Sequence, residues 1–235
     1  MSLLTIVQQA MTSINLPSPT AVISSNDELV KQFLALSNEE GKSLSRRFDW
    51  QRLVKEGSFT TLAAETQVAV ITTTFTDYGL YIPTTMWNRT SAWPVIGPIP
   101  GQEWAALKAS GLNASTQSAF RIRGDSILFY PTPTAGDSVY FEYISKNWNI
   151  SDASVEQSAW VSDTDTALID EELIKLGIKW RFLRAKGLSY GEEFNEYEMA
   201  VAKIAAHDGA RPVIDMNYSD AGLTLTVPES SWDID

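Results

Sequence analysis

The chain lacks cysteine altogether and contains a single histidine, His207, among its 235 residues. Without thiols there is no disulfide scaffold, thiolate zinc site or cysteine nucleophile, and one imidazole cannot form a multi-histidine metal site. No uncharged apolar run approaches the ~20 residues that a membrane span needs. Met1 and Ser2 are not followed by a basic, signal-like region. These absences predict a soluble protein that folds without covalent or metal help.

Basic residues are also scarce. The chain has 18 lysines and arginines against 29 acids, a formal charge of −11, and residues 147–174 and 212–235 contain no base. Those two stretches hold 7 and 5 of the acids. Two interpretations remain open. In the first, the acids simply populate solvated loops. In the second, they make one face of the protein negative for a function while another face is neutral or basic. Both disfavour a protein that wraps nucleic acid, because such a protein needs a basic stripe.

Apolar residues at three- and four-residue steps predict two helices at the start of the chain. The first begins at Leu3 and ends before Pro17. The second begins at a capping box formed by Ser25 and Glu28, and Gly41 is a soft point within it. The short proline-containing connection predicts that these helices form an antiparallel pair.

A second pair of helices is predicted near the end of the chain. One begins at Asp165 or Thr166, buries a single apolar stripe, and ends at Gly187. The next begins at a second capping box, formed by Ser189 and Glu192.

Between the two pairs, β-branched and aromatic residues predict strands. These include residues 68–74, 138–145, and a hairpin of 120–123 and 126–130 around the turn Gly124-Asp125. A short helix is expected at 102–109. The predicted fold class is therefore α+β. A discontinuous helical bundle is formed by residues 1–56 and 163–211, and residues 57–162 are an inserted, mainly-β segment. Residues 212–235 form an extended C-terminal tail.

Core packing explains this tail least well. It alternates apolar residues with threonines and has an aromatic residue near its end, which suits a segment that lies on a partner or adds a strand to a partner's sheet. The residues expected to make the contact are Val213, Ile214, Leu223, Leu225, Val227 and Trp232.

No catalytic, cofactor or metal motif is evident. His207 lies where a helix ends, and the carboxylate pairs are better explained by stabilisation of helix starts. Neither a phosphate-binding loop nor a dinucleotide glycine motif is present. Trp50 and Trp180 lie on helical stripes and are expected in the core. The other tryptophans leave open a carbohydrate-stacking surface or a protein interface.

Short motifs spread along nearly the whole chain suggest a family. They are Leu3-Leu4-Thr5-Ile6-Val7, Arg46-Arg47-Phe48-Asp49-Trp50, Tyr81-Ile82-Pro83, Met86-Trp87-Asn88-Arg89-Thr90, Gln102-Glu103-Trp104, Phe141-Glu142-Tyr143, Lys179-Trp180-Arg181 and Ala185-Lys186-Gly187-Leu188. With these motifs the chain resembles the head-to-tail adaptor, or connector, proteins of tailed bacteriophages, including tail tubular protein A of short-tailed phages.

The resemblance implies a homo-oligomeric ring of twelve copies in the neck of the virion, assembled in the host bacterial cytoplasm. The helical bundle would form the ring, the C-terminal tail would reach the portal protein, and the β segment would meet the next tail component, a nozzle or tail tube. Double-stranded DNA would pass through the bore without specific binding, because an acidic lumen repels phosphate.

The basic faces of two helices would then meet acids of neighbouring subunits. The residues expected on these faces are Arg46, Arg47, Arg181 and Arg184. The resemblance implies no enzyme activity, no cofactor and no membrane partner. The alternative is a carbohydrate-binding β module of a phage tail fibre or baseplate component, which would use exposed tryptophans.

Overall fold

The structure, a computed structural model, describes residues 1–109 and 118–209. It confirms the α+β class, with helices at both ends and a strand-rich middle. The helices are α1 Leu3–Ser13, α2 Glu28–Arg47, α3 Ile71–Thr74, α4 Gly101–Ala109, α5 Glu171–Ala185 and α6 Gly191–Asp208. The strands are β1 Val54–Thr60, β2 Thr66–Val68, β3 Tyr78–Tyr81, β4 Trp87–Asn88, β5 Trp93–Pro94, β6 Ala119–Arg123, β7 Ser126–Tyr130, β8 Ser138–Ser145, β9 Asn149–Ile150, β10 Glu156–Gln157 and β11 Thr166–Ala167.

The helix α5 is the centre of a bundle, because α1, α2 and α6 all pack against it. The helices α1 and α2, predicted to form an antiparallel pair, contact each other less than either contacts α5, so both pack mainly on α5. The predicted single stripe on α5 is also wrong, since a helix enclosed by three others is buried on several sides. Its buried residues are Leu173, Ile174, Leu176, Gly177, Ile178, Trp180, Arg181 and Phe182.

The N-cap of α2 lies two residues beyond the predicted one, Ser25. Asp27 is the N-cap, and its carboxylate accepts a hydrogen bond from the Leu29 backbone N–H at 2.9 Å. The Ser25 hydroxyl instead accepts from the Asp27 N–H at 3.2 Å, which shapes the turn before the helix. A carboxylate placed directly at the cap also interacts favourably with the positive end of the helix dipole.

The starts of α5 and α6 differ from prediction as well. Asp170, rather than Asp165 or Thr166, caps α5 by accepting a hydrogen bond from the Glu172 N–H at 2.8 Å. The helix α6 begins after Tyr190 without a side-chain cap. The predicted end of α5 is confirmed, because Gly187 adopts φ +69°, the left-handed conformation that favours glycine after a helix.

Strand β8 organises the largest sheet. It pairs antiparallel with β1 on one edge and with β3 and β4 on the other, and β4 pairs with β5. The predicted hairpin is confirmed as β6 and β7, which form a second sheet with β2. Strands β10, β9 and β11 form a third. The predicted strand at 68–74 is wrong beyond Val68, because residues 71–74 form the single helical turn α3.

The apolar side chains form two clusters. One joins the four long helices and includes Ile144 at the end of β8, so the sheet abuts the bundle. The other lies within the strands and is rich in aromatic rings, such as Phe120, Phe129 and Phe141. Trp148 and Trp160 belong to the helical cluster although they precede residue 163. The division into domains at residues 57, 163 and 212 remains a prediction.

Within the described ranges, no helix combines the length and apolar character required to cross a bilayer.

Candidate interaction surfaces

A buried charged network joins three helices of the bundle. Glu40 on α2 is completely buried, and its two carboxylate oxygens accept hydrogen bonds from Arg181 Nε on α5 and from the Tyr197 hydroxyl on α6, both at 2.5 Å. Arg181 also donates to Glu39. Burial raises the pKa of the Tyr197 hydroxyl, and the Glu40 carboxylate raises it further, so the hydroxyl stays protonated and donates. Gly177 provides the space for Glu40, since a Cβ there would lie 2.2 Å from its carboxyl carbon.

The four arginines expected on the subunit-facing surface have different environments. Arg181 is 9% exposed and is held by the buried network. Arg47 forms a two-point ion pair with Glu198 on α6, with Nη1 to Oε1 at 2.9 Å. That hydrogen bond raises the pKa of Arg47, against the effect of burial, and lowers the pKa of Glu198. Arg46 and Arg184 are exposed, and Arg184 lies over the Trp180 ring at 4.9 Å.

Arg46, Arg47 and Arg184 all lie at the surface of a single subunit, but among the described residues only Arg47 of these three forms an ion pair. Arg181, by contrast, makes its contacts within the chain. The six tail residues predicted to dock on a partner lie outside the described residues. Their role stays a prediction.

The acids of residues 147–174 largely stabilise local structure within the chain. Asp163 accepts hydrogen bonds from the backbone of Val22 and Ile23, at 3.1 and 2.8 Å, and so anchors the loop after α1. Asp165 is fully buried and accepts from the N–H groups of Val161 and Ser162 at 2.8 Å each. These two carboxylates thus shape turns. In the described ranges no group of three or more acids and histidines is arranged to hold a metal ion.

The tryptophans are mostly interior. The expected burial of Trp50 and Trp180 is confirmed, at 3% and 6% exposed, and Trp104, Trp148 and Trp160 are buried too. Of the tryptophans in the part of the chain that the structure describes, Trp93 alone is exposed, at 42%. A carbohydrate platform needs a wider open aromatic surface, so this arrangement gives the alternative function little support.

A second charged cluster joins the largest sheet to the third sheet. The Asp77 carboxylate accepts hydrogen bonds from Lys55 Nζ at 2.6 Å and from the Tyr143 hydroxyl at 2.8 Å, and Lys55 also pairs with Glu156. Burial acts to raise the pKa of Asp77, but the hydrogen bonds from Lys55 and Tyr143 outweigh it. The pKa of Asp77 consequently lies below its ordinary value of 3.8.

We expect Asp77→Asn to lower the free energy of unfolding by about 1–3 kcal/mol at neutral pH, because charge-assisted hydrogen bonds are lost. A carboxylate with a depressed pKa contributes its full stabilisation above pH 3.8 and loses it as the pH falls through its folded-state pKa. The difference between wild type and variant should therefore shrink on acidification. Urea unfolding at pH ~7 and pH ~2.5 measures it, with exposed Asp152→Asn as the control. A pH-independent difference would contradict this assignment.

A cavity of about 670 Å³ lies between α2 and the β3 side of the largest sheet. Its lining residues come from α2 and the residues just after it, from β3, from the end of β8, and from the loop between β10 and β11. They are Lys42, Ser45, Arg46, Asp49, Tyr78, Gly79, Leu80, Ile144, Ser145, Lys146 and Ser158. The lining combines three bases and one acid, Asp49, with apolar side chains. No sequence pattern predicted this groove.

The sequence contains part of the signal for two features that were not predicted, the buried network around Glu40 and the groove between α2 and β3. Ser37, Glu40 and Gly41 continue the helical spacing of Phe33 and Leu44, which places a carboxylate on an apolar face. Lys42 and Arg46 are four residues apart and so share one helix face. Lys146 lies a hundred residues further on, and only the packing of the sheet against the bundle brings it to the same groove.

The described part of the chain thus has helices at both ends and a strand-rich middle, and its charged clusters hold these elements together. A family model described as SU10 adaptor protein matches residues 1–221, and the chain therefore belongs to that family. It is a family of phage structural adaptors and not an enzyme family, so the chain is a virion component that contacts other head and tail components. No curated protein matches the chain significantly.

Proposed function

We propose that the chain forms a homo-oligomeric ring of twelve copies in the neck of the virion, of the type called tail tubular protein A in short-tailed phages. The ring joins the portal to the next tail component, a nozzle or tail tube, and surrounds the channel through which DNA passes. Assembly takes place in the cytoplasm of the host bacterium. The observation that carries the proposal is the family match over residues 1–221.

The arrangement of the chain supports this role. Both ends of the described chain lie in one bundle, and the strands between them form a separate aromatic cluster. One chain can therefore offer two structural parts to two neighbours, the bundle to adjacent subunits and the β segment to the next tail component of the virion. The C-terminal tail, residues 212–235, is the segment that we assign to the portal.

The charges of the chain support the proposed DNA channel and the proposed contacts between subunits. A net charge of −11 disfavours tight binding of phosphate, and DNA slides most easily past a surface that repels it. Exposed Arg46 and Arg184 are available to pair with acids of a neighbouring subunit. Such rim pairs fix register more than they add affinity. Arg47 and Arg181 have partners within their own chain and contribute to this face less directly.

The test is co-sedimentation of the chain with portal rings. We expect the full chain to sediment with the rings and a chain lacking residues 212–235 to stay in the supernatant. The full-length variant Leu223→Ser/Leu225→Ser/Val227→Ser should bind at least about a hundredfold more weakly, because three apolar side chains no longer bury their surface.

Thr224→Ser/Thr226→Ser is the matched control, since it changes the intervening polar positions of the same segment and should leave binding intact. Far-UV circular dichroism verifies that each variant is folded. Equal sedimentation of the truncated and full chains would rule out docking through the tail. A change of tryptophan fluorescence with glycans, together with no binding to portal rings, would support the carbohydrate-binding alternative.

A further inference from the structure

The groove between α2 and β3 has the chemistry of a site for an acidic, partly apolar segment. Lys42, Arg46 and Lys146 line it and are exposed, and among the described residues none of the three forms an ion pair. Leu80, 59% exposed, and Tyr78 provide apolar surface between them. The three bases outnumber the one acid of the lining, Asp49, and they surround open apolar surface. This combination favours a ligand with negative charge and apolar side chains of its own.

The adjacent backbone favours an extended ligand. Strand β3 pairs with β8 alone among the described strands, so its other edge has no ladder partner. An edge strand with free N–H and C=O groups accepts a further strand, whose alternate side chains then face the same surface. A ligand that combines acidic residues with period-two apolar residues matches both properties of the groove.

The chain itself contains such a segment. Residues 212–235 have five acids and no base, and Leu223, Leu225 and Val227 alternate with threonines. The point from which this segment departs is close to the groove. The carboxylate of Asp208, at the end of α6, accepts a hydrogen bond from the Gln51 N–H at 2.8 Å. A Cβ on Gly209 would lie 3.2 Å from the Phe48 ring, and the next residue, Asp49, lines the groove.

We propose that, in the free chain, this groove is the docking site for the acidic tail, residues 212–235 of the same molecule. The bases of the groove neutralise the acids of the tail, and the alternating apolar residues cover Leu80 and Tyr78. The groove thus shields an apolar segment until a competing partner takes it. This inference concerns the chain before assembly, and it does not rest on the ring or on the portal.

Cysteine cross-linking in the full chain tests the proposal, because the chain has no thiol of its own. The test variant is Ser45→Cys/Thr226→Cys, which places one thiol on the groove wall and one in the alternating part of the tail. The control is Gln51→Cys/Thr226→Cys, since Gln51 lies at the root of the tail but does not line the groove. In dilute solution we expect the intramolecular disulfide to form about tenfold faster in the test variant, because docking raises the effective concentration of the two thiols.

Reversal of the groove charges provides a second test of the proposal. Lys42→Glu/Lys146→Glu should reduce the cross-linking rate of the test variant to that of the control, and higher salt should act in the same direction. Lys186→Glu/Lys203→Glu makes the same change of net charge elsewhere and should have no effect. Equal rates for the two cysteine pairs, or insensitivity to the groove charges, would overturn the proposal. A covalent dimer in place of the intramolecular product would do so too, since it would mean that the groove receives another copy's tail.

Discussion

Arg181→Met is expected to lower the free energy of unfolding by about 3–5 kcal/mol, because it leaves the fully buried Glu40 carboxylate without its cation. Tyr197 would remain as a hydrogen-bond donor to Glu40, but a neutral hydroxyl does not balance a buried charge. Urea denaturation of the full chain, followed by far-UV circular dichroism, measures the loss. If the single variant does not fold, Arg181→Met/Glu40→Leu gives the readout. We expect it to recover most of the stability, since apolar residues of similar size often replace a buried ion pair without loss.

Arg184→Met is the matched control for this prediction. Arg184 lies on the same helix and also stacks on Trp180, but it is exposed, so its removal should cost less than about 1 kcal/mol. Equal costs for the two variants would show that the buried network contributes nothing beyond an ordinary surface charge. The comparison also separates the two roles proposed for arginines on α5. Arg181 should affect the stability of the single chain, and Arg184 the contacts between subunits.

The second large effect is expected from Trp148→Ala, which should lower the free energy of unfolding by about 3–5 kcal/mol. Trp148 is fully buried, donates from Nε1 to the Ser158 carbonyl at 3.0 Å, and meets Trp160 edge to face at 4.9 Å. Its ring lies against Gly41 of α2, where a Cβ would be 2.4 Å from the ring. Removal of the indole therefore leaves a cavity between the bundle and the segment that follows β8.

Gly41→Ala tests the same contact from the other side. In the wild-type background the added methyl clashes with the Trp148 ring and should cost about 1–3 kcal/mol, despite the better helix propensity of alanine. In the Trp148→Ala background the clash is absent, and the same substitution should be neutral or stabilising by up to about 1 kcal/mol. Gly191→Ala, where an added Cβ meets no atom within 4 Å, should have little effect in either background. An additive double variant would be inconsistent with direct contact between Gly41 and the ring.

The environment of Gly41 differs from the soft point that the sequence predicted. A glycine inside an amphipathic helix predicts a soft point, because glycine has the lowest helix propensity apart from proline. In the structure α2 is continuous from Glu28 to Arg47, and Gly41 is buried against an indole. The partner, Trp148, is more than a hundred residues away. A local pattern cannot distinguish a weak point in a helix from a position that makes room for a distant side chain.

Arg181 illustrates the same limit for charge. Its neighbours on α5 include three other bases, and such a cluster predicts a solvated or subunit-facing surface. The structure instead buries Arg181 with Glu40. Glu40 itself lies on the apolar face of α2, and that placement was the one local sign of an internal partner.

The sequence by itself determined the order of the long helices around a strand-rich middle, the α+β class, the ends of α1 and α5 and the β6–β7 hairpin. These depend on apolar periodicity, on glycine's access to positive φ and on turn chemistry, all of which act over a few residues. The tertiary structure alone decided that α5 is central, that Arg181 faces inward and that Lys146 joins Lys42 at one groove. Each of these depends on which distant segments pack against one another. That packing decides which side chains are buried and which charges are paired.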